Sequence, residues 1–152
     1  MSDVLIRSCR RENLAQLRGF VEQMYQEDFS AHGGTPDIEL TFKDLSLHPD
    51  KGQLLVFEYE QKVIGYAIII FFWSNEYRGN IIDIDELFIS PHYRGMGFGS
   101  KFFKWLSETF SHNCVGWSLQ VAHTNERAAV LYERLGFVTS RNRHLLKIFP
   151  VH

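Results

Sequence analysis

The sequence predicts a mixed α/β sheet covered on both faces by helices, and three observations carry that reading. Two runs rich in β-branched and aromatic residues, 53–59 and 63–73, are separated by Glu60-Gln61-Lys62 and read as a hairpin. A glycine-rich stretch at 94–100 sits between a strand pattern and a helix pattern. Strand and helix periodicities also alternate along the whole chain, the arrangement that builds layered α/β domains.

Taken in order, residues 4–7 form a short first strand. Leu14, Leu17, Phe20, Val21 and Met24 then recur at helical spacing and make an amphipathic first helix. From 28 to 49 the pattern weakens, because Gly33, Gly34, Pro36 and Pro49 break it into loop and short helix, and irregular segments of this kind often carry binding residues. The hairpin follows, and after a turn at 75–80 comes a third strand, 81–89. Beyond the glycine loop, Phe98, Phe102, Trp105, Leu106, Thr109 and Phe110 fall on one helical face that should lie against the sheet. Residues 117–121 read as a strand and 125–135 as a helix ended by Gly136; a final pair of strands runs from Phe137 and finishes near 145–149. The predicted order is βα(α)βββαβαββ.

A chain of 152 residues with 45% hydrophobic and 22% charged residues fits one domain spanning 1–152 with a single active site. The net charge of −2 and the pI near 6.4 leave no basic field for nucleic acid. Cys9 and Cys114 form no CxxC pair and read as free thiols in a reducing cytoplasm. The seven histidines show no i,i+4 pair on a predicted helix, so no metal site is expected. The first residues lack a charged-then-apolar signal pattern and the longest apolar run, 63–73, is too short to span a bilayer, which points to a cytoplasmic protein without a membrane partner.

The strongest chemical feature is Arg94-Gly95-Met96-Gly97-Phe98-Gly99-Ser100. Glycines at a strand-to-helix junction let the backbone approach a ligand, and the exposed N–H groups of the helix start favour an anion, a phosphate above all. A P-loop would require Gly-Lys-Ser/Thr, whereas the order here is Gly99-Ser100-Lys101. A dinucleotide loop requires an acidic residue after the next strand, but that strand ends Val121-Ala122-His123.

The stretch Asp85-Glu86-Leu87-Phe88-Ile89-Ser90-Pro91-His92-Tyr93-Arg94-Gly95-Met96-Gly97-Phe98-Gly99 resembles motif A of the GNAT superfamily of N-acetyltransferases. Asn125-Glu126-Arg127-Ala128-Ala129-Val130-Leu131-Tyr132-Glu133-Arg134-Leu135-Gly136-Phe137 resembles its motif B, in the expected order and spacing. The wording of motif A is similar to that of diamine and polyamine acetyltransferases. The resemblance is close over 81–137 and does not cover the acceptor-binding segment.

The resemblance implies the GNAT fold, a splayed mixed sheet flanked by helices, with acetyl-CoA as cosubstrate and no metal. Its pantetheine arm would pair with backbone at Leu87, Phe88 and Ile89. The amides of Arg94, Gly95, Met96, Gly97, Phe98, Gly99 and Ser100 would wrap the pyrophosphate, and Asn125 would bind near the pantetheine or thioester. Transfer would proceed by direct attack of a primary amine, with Tyr132 as the acid that protonates the departing thiolate. A backbone N–H near Leu87 would serve the developing oxyanion.

Asp85 and Glu86 are the candidate bases. Neighbouring strand residues face opposite sides, so only one of them is expected in the cleft, and the alignment with polyamine-type enzymes favours Asp85, acting through a water. A surface salt bridge is the plainer reading of either. For the acceptor, Tyr25, Glu27, Asp28 and Phe29 at the end of the first helix and Trp73 at the end of the hairpin supply carboxylates and aromatics suited to a cationic amine. A small-molecule amine is therefore the expected partner, and many relatives are homodimers. The other readings are a protein lysine or N-terminal acetyltransferase and a non-catalytic acyl-CoA-binding sensor, which would need neither Tyr132 nor an acidic base.

Overall fold

The computed structural model describes residues 3–28 and 33–150. These fall into two compact units, Met1–Ala122 and His123–His152.

In the first unit, β1 (Leu5–Ser8), β2 (Gly52–Tyr59), β3 (Lys62–Ser74), β4 (Gly79–Ile89) and β5 (Gly116–Leu119) form one five-stranded sheet in the order β1-β2-β3-β4-β5. Pairing is antiparallel from β1 to β4, and β5 joins β4 in parallel. The β2–β3 connection is a two-residue turn. Glu60 and Gln61 both take positive φ, the geometry that matches the twist of a tight hairpin. No glycine marks this turn in the sequence.

Two helices, α1 (Leu14–Glu27) and α2 (Ile38–Leu47), cover one face of the sheet. Leu14, Leu17 and Val21 of α1 and Ile38 and Leu45 of α2 pack with Leu54, Val56, Tyr66, Ile68 and Phe88 in one buried cluster. Helix α2 is better defined than the broken 28–49 pattern predicts, because the Asp37 side chain accepts hydrogen bonds from the backbone N–H groups of Glu39 and Leu40, both at 3.1 Å, and caps its start. Helix α3 (Phe98–Phe110) covers the opposite face, where Phe102 meets Phe57 edge to face at 5.4 Å and Phe103 meets Trp117 at 5.4 Å. The predicted mixed sheet with helices on both faces is thus present.

The second unit contains α4 (Glu126–Arg134), whose N-cap Asn125 accepts from the N–H of Ala128 at 3.1 Å. The expected final pair of strands is not formed: among the described residues, 137–150 contain no strand. Val138, Leu145, Ile148 and Phe149 are largely exposed. Strand propensity becomes a strand only where a neighbouring backbone completes the ladder, and the described residues of this unit offer none.

Candidate active site

The site is built on an irregularity in β4. Ile84 lies opposite Ile69 and Glu86 opposite Ile68, so Asp85 is an extra residue without a cross-strand partner, a β-bulge. The bulge corrects the expectation that only one of Asp85 and Glu86 faces the cleft. Simple alternation would send them to opposite faces, but the inserted residue resets the phase, and both line the same cavity of about 350 Å³. Its other walls include Thr41 and Asp44 of α2 and Ile68 and Ile70 of β3. Asp83, opposite Ile70, lies on the same face and accepts a hydrogen bond from the Ser118 hydroxyl at 2.7 Å.

Glu86 is held from two sides. The Tyr66 hydroxyl donates to Oε1 at 2.7 Å and the Tyr25 hydroxyl donates to Oε2 at 3.0 Å. Burial lifts the Glu86 pKa above the usual carboxylate range, the two phenolic hydrogen bonds oppose that rise, and the neighbouring Asp85 charge adds to it. Asp85 keeps more contact with solvent, yet partial dehydration of its carboxyl raises its pKa as well, and the Asp83 charge contributes in the same direction. Both tyrosines are pushed well above the ordinary phenol value, first by burial and then by Glu86, so they remain protonated donors. Three carboxylates, Asp44, Asp85 and Glu86, thus converge on one partly apolar cavity, the surroundings that suit a cationic amine.

Beside this cavity the sheet opens. The β4–β5 ladder stops at Ile84 and Leu119, and among the described residues no strand continues it along 85–89. One edge of 87–89 therefore carries no neighbouring strand and leaves backbone groups for an extended ligand, the Ile89 carbonyl excepted because it is taken by Arg94. At the end of this edge the chain turns into α3 through Gly95 and Gly97, both left-handed with φ of 79° and 85°. Space is open where a Gly97 side chain would stand. The first-turn N–H groups of α3 have no intrahelical partners and point outward from this loop, which fits a pyrophosphate. Arg94 braces the turn: its Nε donates to the Ile89 carbonyl at 2.8 Å, its guanidinium pairs with Glu27 at 2.9 Å, and it stacks over the Phe88 ring.

The residues singled out in the sequence are therefore partly gathered. Asp85 and Glu86 line the cavity and Tyr25 reaches Glu86 through its hydroxyl, while Glu27 is engaged with Arg94 at the glycine loop. Asp28 is the C-cap of α1 and Phe29 lies outside the described residues. Trp73 stands 66% exposed near the tip of the β3–β4 hairpin, paired with Asn80 and not among the cavity walls. Tyr132, whose pKa burial raises, and Asn125 belong to the second unit. Sequence reasoning missed Tyr66, Asp83 and Asp44. The available signal for Tyr66 was a hydroxyl-bearing ring inside the otherwise aliphatic run 63–70, which needs a polar partner when buried.

The acetyltransferase (GNAT) family matches residues 19–137 of the chain. Thialysine N-epsilon-acetyltransferase of Bos taurus is 36% identical over 75 residues, 49% of this chain and 44% of that protein. A probable spermine N(1)-acetyltransferase of Bacillus subtilis subsp. natto is 30% identical over 83 residues, 52% of this chain and 55% of that protein. The chain thus spans about half the length of these curated relatives. Among solved structures, a possible acetyltransferase from Clostridium difficile shares the fold with a TM-score of 0.75 at 23% identity, covering 98% of this chain and 99% of that one.

Proposed function

The chain belongs to the acetyltransferase (GNAT) family, and from that premise we propose that it is an N-acetyltransferase moving the acetyl group of acetyl-CoA to a primary amine of a small cationic molecule. The observation that carries this reading is the acidic cavity at the β4 bulge, on the same strand whose unpaired edge runs on through 87–89 toward the left-handed glycine loop. Backbone groups at Leu87, Phe88 and Ile89 would hold the pantetheine arm, the loop from Arg94 to Ser100 the pyrophosphate, and Asn125 the region near the thioester. The names of the thialysine and spermine relatives support a small amine acceptor.

When bound, acetyl-CoA supplies a thioester whose carbonyl carbon bonds to the acceptor nitrogen as the carbon–sulfur bond breaks. The protein's part is proton management and charge placement. Asp85, through a water, takes the proton that an ammonium must lose before its nitrogen can attack. A backbone N–H near Leu87 donates to the carbonyl oxygen as negative charge grows there. Tyr132 gives its phenolic proton to the departing sulfur, and its raised pKa keeps that proton in place at neutral pH.

Release of free CoA thiol from acetyl-CoA, followed across diamines, amino acids, aminoglycosides and peptides, tests the reading. Turnover with small cationic amines supports it. CoA binding without turnover on any amine would leave a binding module instead, and absence of CoA binding overturns the assignment entirely.

A further inference from the structure

The two carboxylates at the β4 bulge are held in different ways. Among the described residues no hydrogen bond restrains Asp85. Both oxygens of Glu86, by contrast, already accept a phenolic hydrogen, at 2.7 Å from Tyr66 and 3.0 Å from Tyr25. A carboxylate oxygen has room for a second donor, so Glu86 can still accept from an ammonium. The same two O–H donors stabilise the anion and so oppose the rise in pKa that burial imposes on Glu86.

The holders are rigid to different degrees. Tyr66 is completely buried in β3, its ring against Phe88 with centroids 6.1 Å apart, and its hydroxyl lies 3.5 Å from the Met24 sulfur. Tyr25 is half-buried in the last turn of α1. Charged or titratable groups face the Glu86 carboxylate from every packed element: Tyr25 from α1, Asp44 from α2 across the cavity, Tyr66 from β3, and Asp85 from β4, with Asp83 acting on Asp85 in turn. Asp44 is itself paired with Lys51 at 3.1 Å, and the Glu27–Arg94 pair closes the end of α1.

We propose that Tyr66, assisted by Tyr25, is a positioning residue that keeps Glu86 a fixed anion for a second ammonium of the acceptor, leaving Asp85 to take the proton from the reacting nitrogen. The acceptor class is then a dication whose two nitrogens fit within one cavity of about 350 Å³. This inference rests on the N-acetyltransferase reading above and assigns separate tasks to the two carboxylates.

The test compares the protein with its Tyr66→Phe and Glu86→Gln variants, using a short diamine and a monoamine of equal chain length. For Tyr66→Phe, KM for the diamine rises about tenfold, the loss expected of one hydrogen bond to a charged group. KM for acetyl-CoA stays unchanged, and the acidic limb of kcat/KM moves to higher pH, since burial then lifts Glu86 with less opposition. Glu86→Gln abolishes the preference for diamine over monoamine. A Tyr66→Phe protein that loses thermal stability but keeps its diamine KM and its acidic limb overturns the proposal. Should that variant fail to fold, Tyr25→Phe must show the same signs or the proposal falls. A wild-type protein that acetylates no amine is a distinct result, because it defeats the underlying reading rather than this division of tasks.

Discussion

Asp85 carries a charge that its surroundings oppose. Its pKa is raised by dehydration and by Asp83, so the folded state prefers the neutral acid. The stability this group contributes is present below its unfolded pKa and is lost as pH rises through the folded value. Asp85→Asn is therefore expected to raise the Tm at neutral pH and to change it less at lower pH, where the wild-type carboxyl gains its proton. The same variant should lower turnover by about 100-fold as the proton acceptor is removed. Thermal melts at the two pH values, set beside the rate, check both arms. Tyr132→Phe should cut the acetyl-transfer rate by about 100-fold while calorimetric CoA affinity holds, and unchanged turnover would remove its acid role. Cys9 differs from these groups: it is buried, with its thiol pushed up to about 11, and belongs to the packing between β1 and α1. Of these residues Asp85 and Glu86 were singled out in the sequence through motif A and stand together at the cavity, while Tyr132 was singled out through motif B and belongs to the second unit. Tyr66 was not, because its meaning depends on a hydrogen bond to a residue 20 positions away.

Among the elements, the glycine loop and α3 were the most legible, since apolar periodicity and a cluster of glycines are local properties. The bulge in β4 was the least legible. Nothing within 81–89 signals an extra residue, because a bulge exists only relative to the strand across from it. It is also what carries Glu86 into the cavity. Helix α2 should be sensitive to its cap: Asp37→Ala is expected to cost about 1 kcal/mol in denaturant unfolding and to raise the amine KM, as the wall bearing Thr41 and Asp44 loosens. At Gly97 no neighbour obstructs a side chain, so substitution acts through the backbone alone. Gly97→Val should lose about 1–2 kcal/mol for a branched residue held at φ 85°, and should bind CoA far more weakly. Wild-type CoA affinity in that variant would remove the loop from the cofactor site.

For the molecule as a whole, the layered sheet was readable from alternating periodicities, while its C-terminal completion was not. Residues 145–149 have the composition of a strand, but pairing is a property of two segments, and composition describes only one. Hydrogen exchange should reflect this contrast. Amides of β2 and β3, flanked on both sides within the sheet and buried on both faces, are expected to exchange slowest, and those of 145–149 within the dead time of a manual experiment. Protection at 145–149 comparable to β3 would show that this segment finds a ladder in solution. Among the described residues no helix is long and apolar enough to cross a membrane.

The one-sided stretch of β4 has a consequence for handling as well as for chemistry. A strand with open N–H and C=O groups is a template on which another copy's backbone can grow, the first step of amyloid-like clumping. Here Asp85 and Glu86 sit at the start of that edge, and like charges brought face to face by a second molecule would repel, so the two acids proposed for the reaction would also act as gatekeepers. As the pH falls and these carboxylates begin to gain protons, turbidity on gentle heating should appear sooner than at pH 7, and saturating CoA should delay it by occupying the edge.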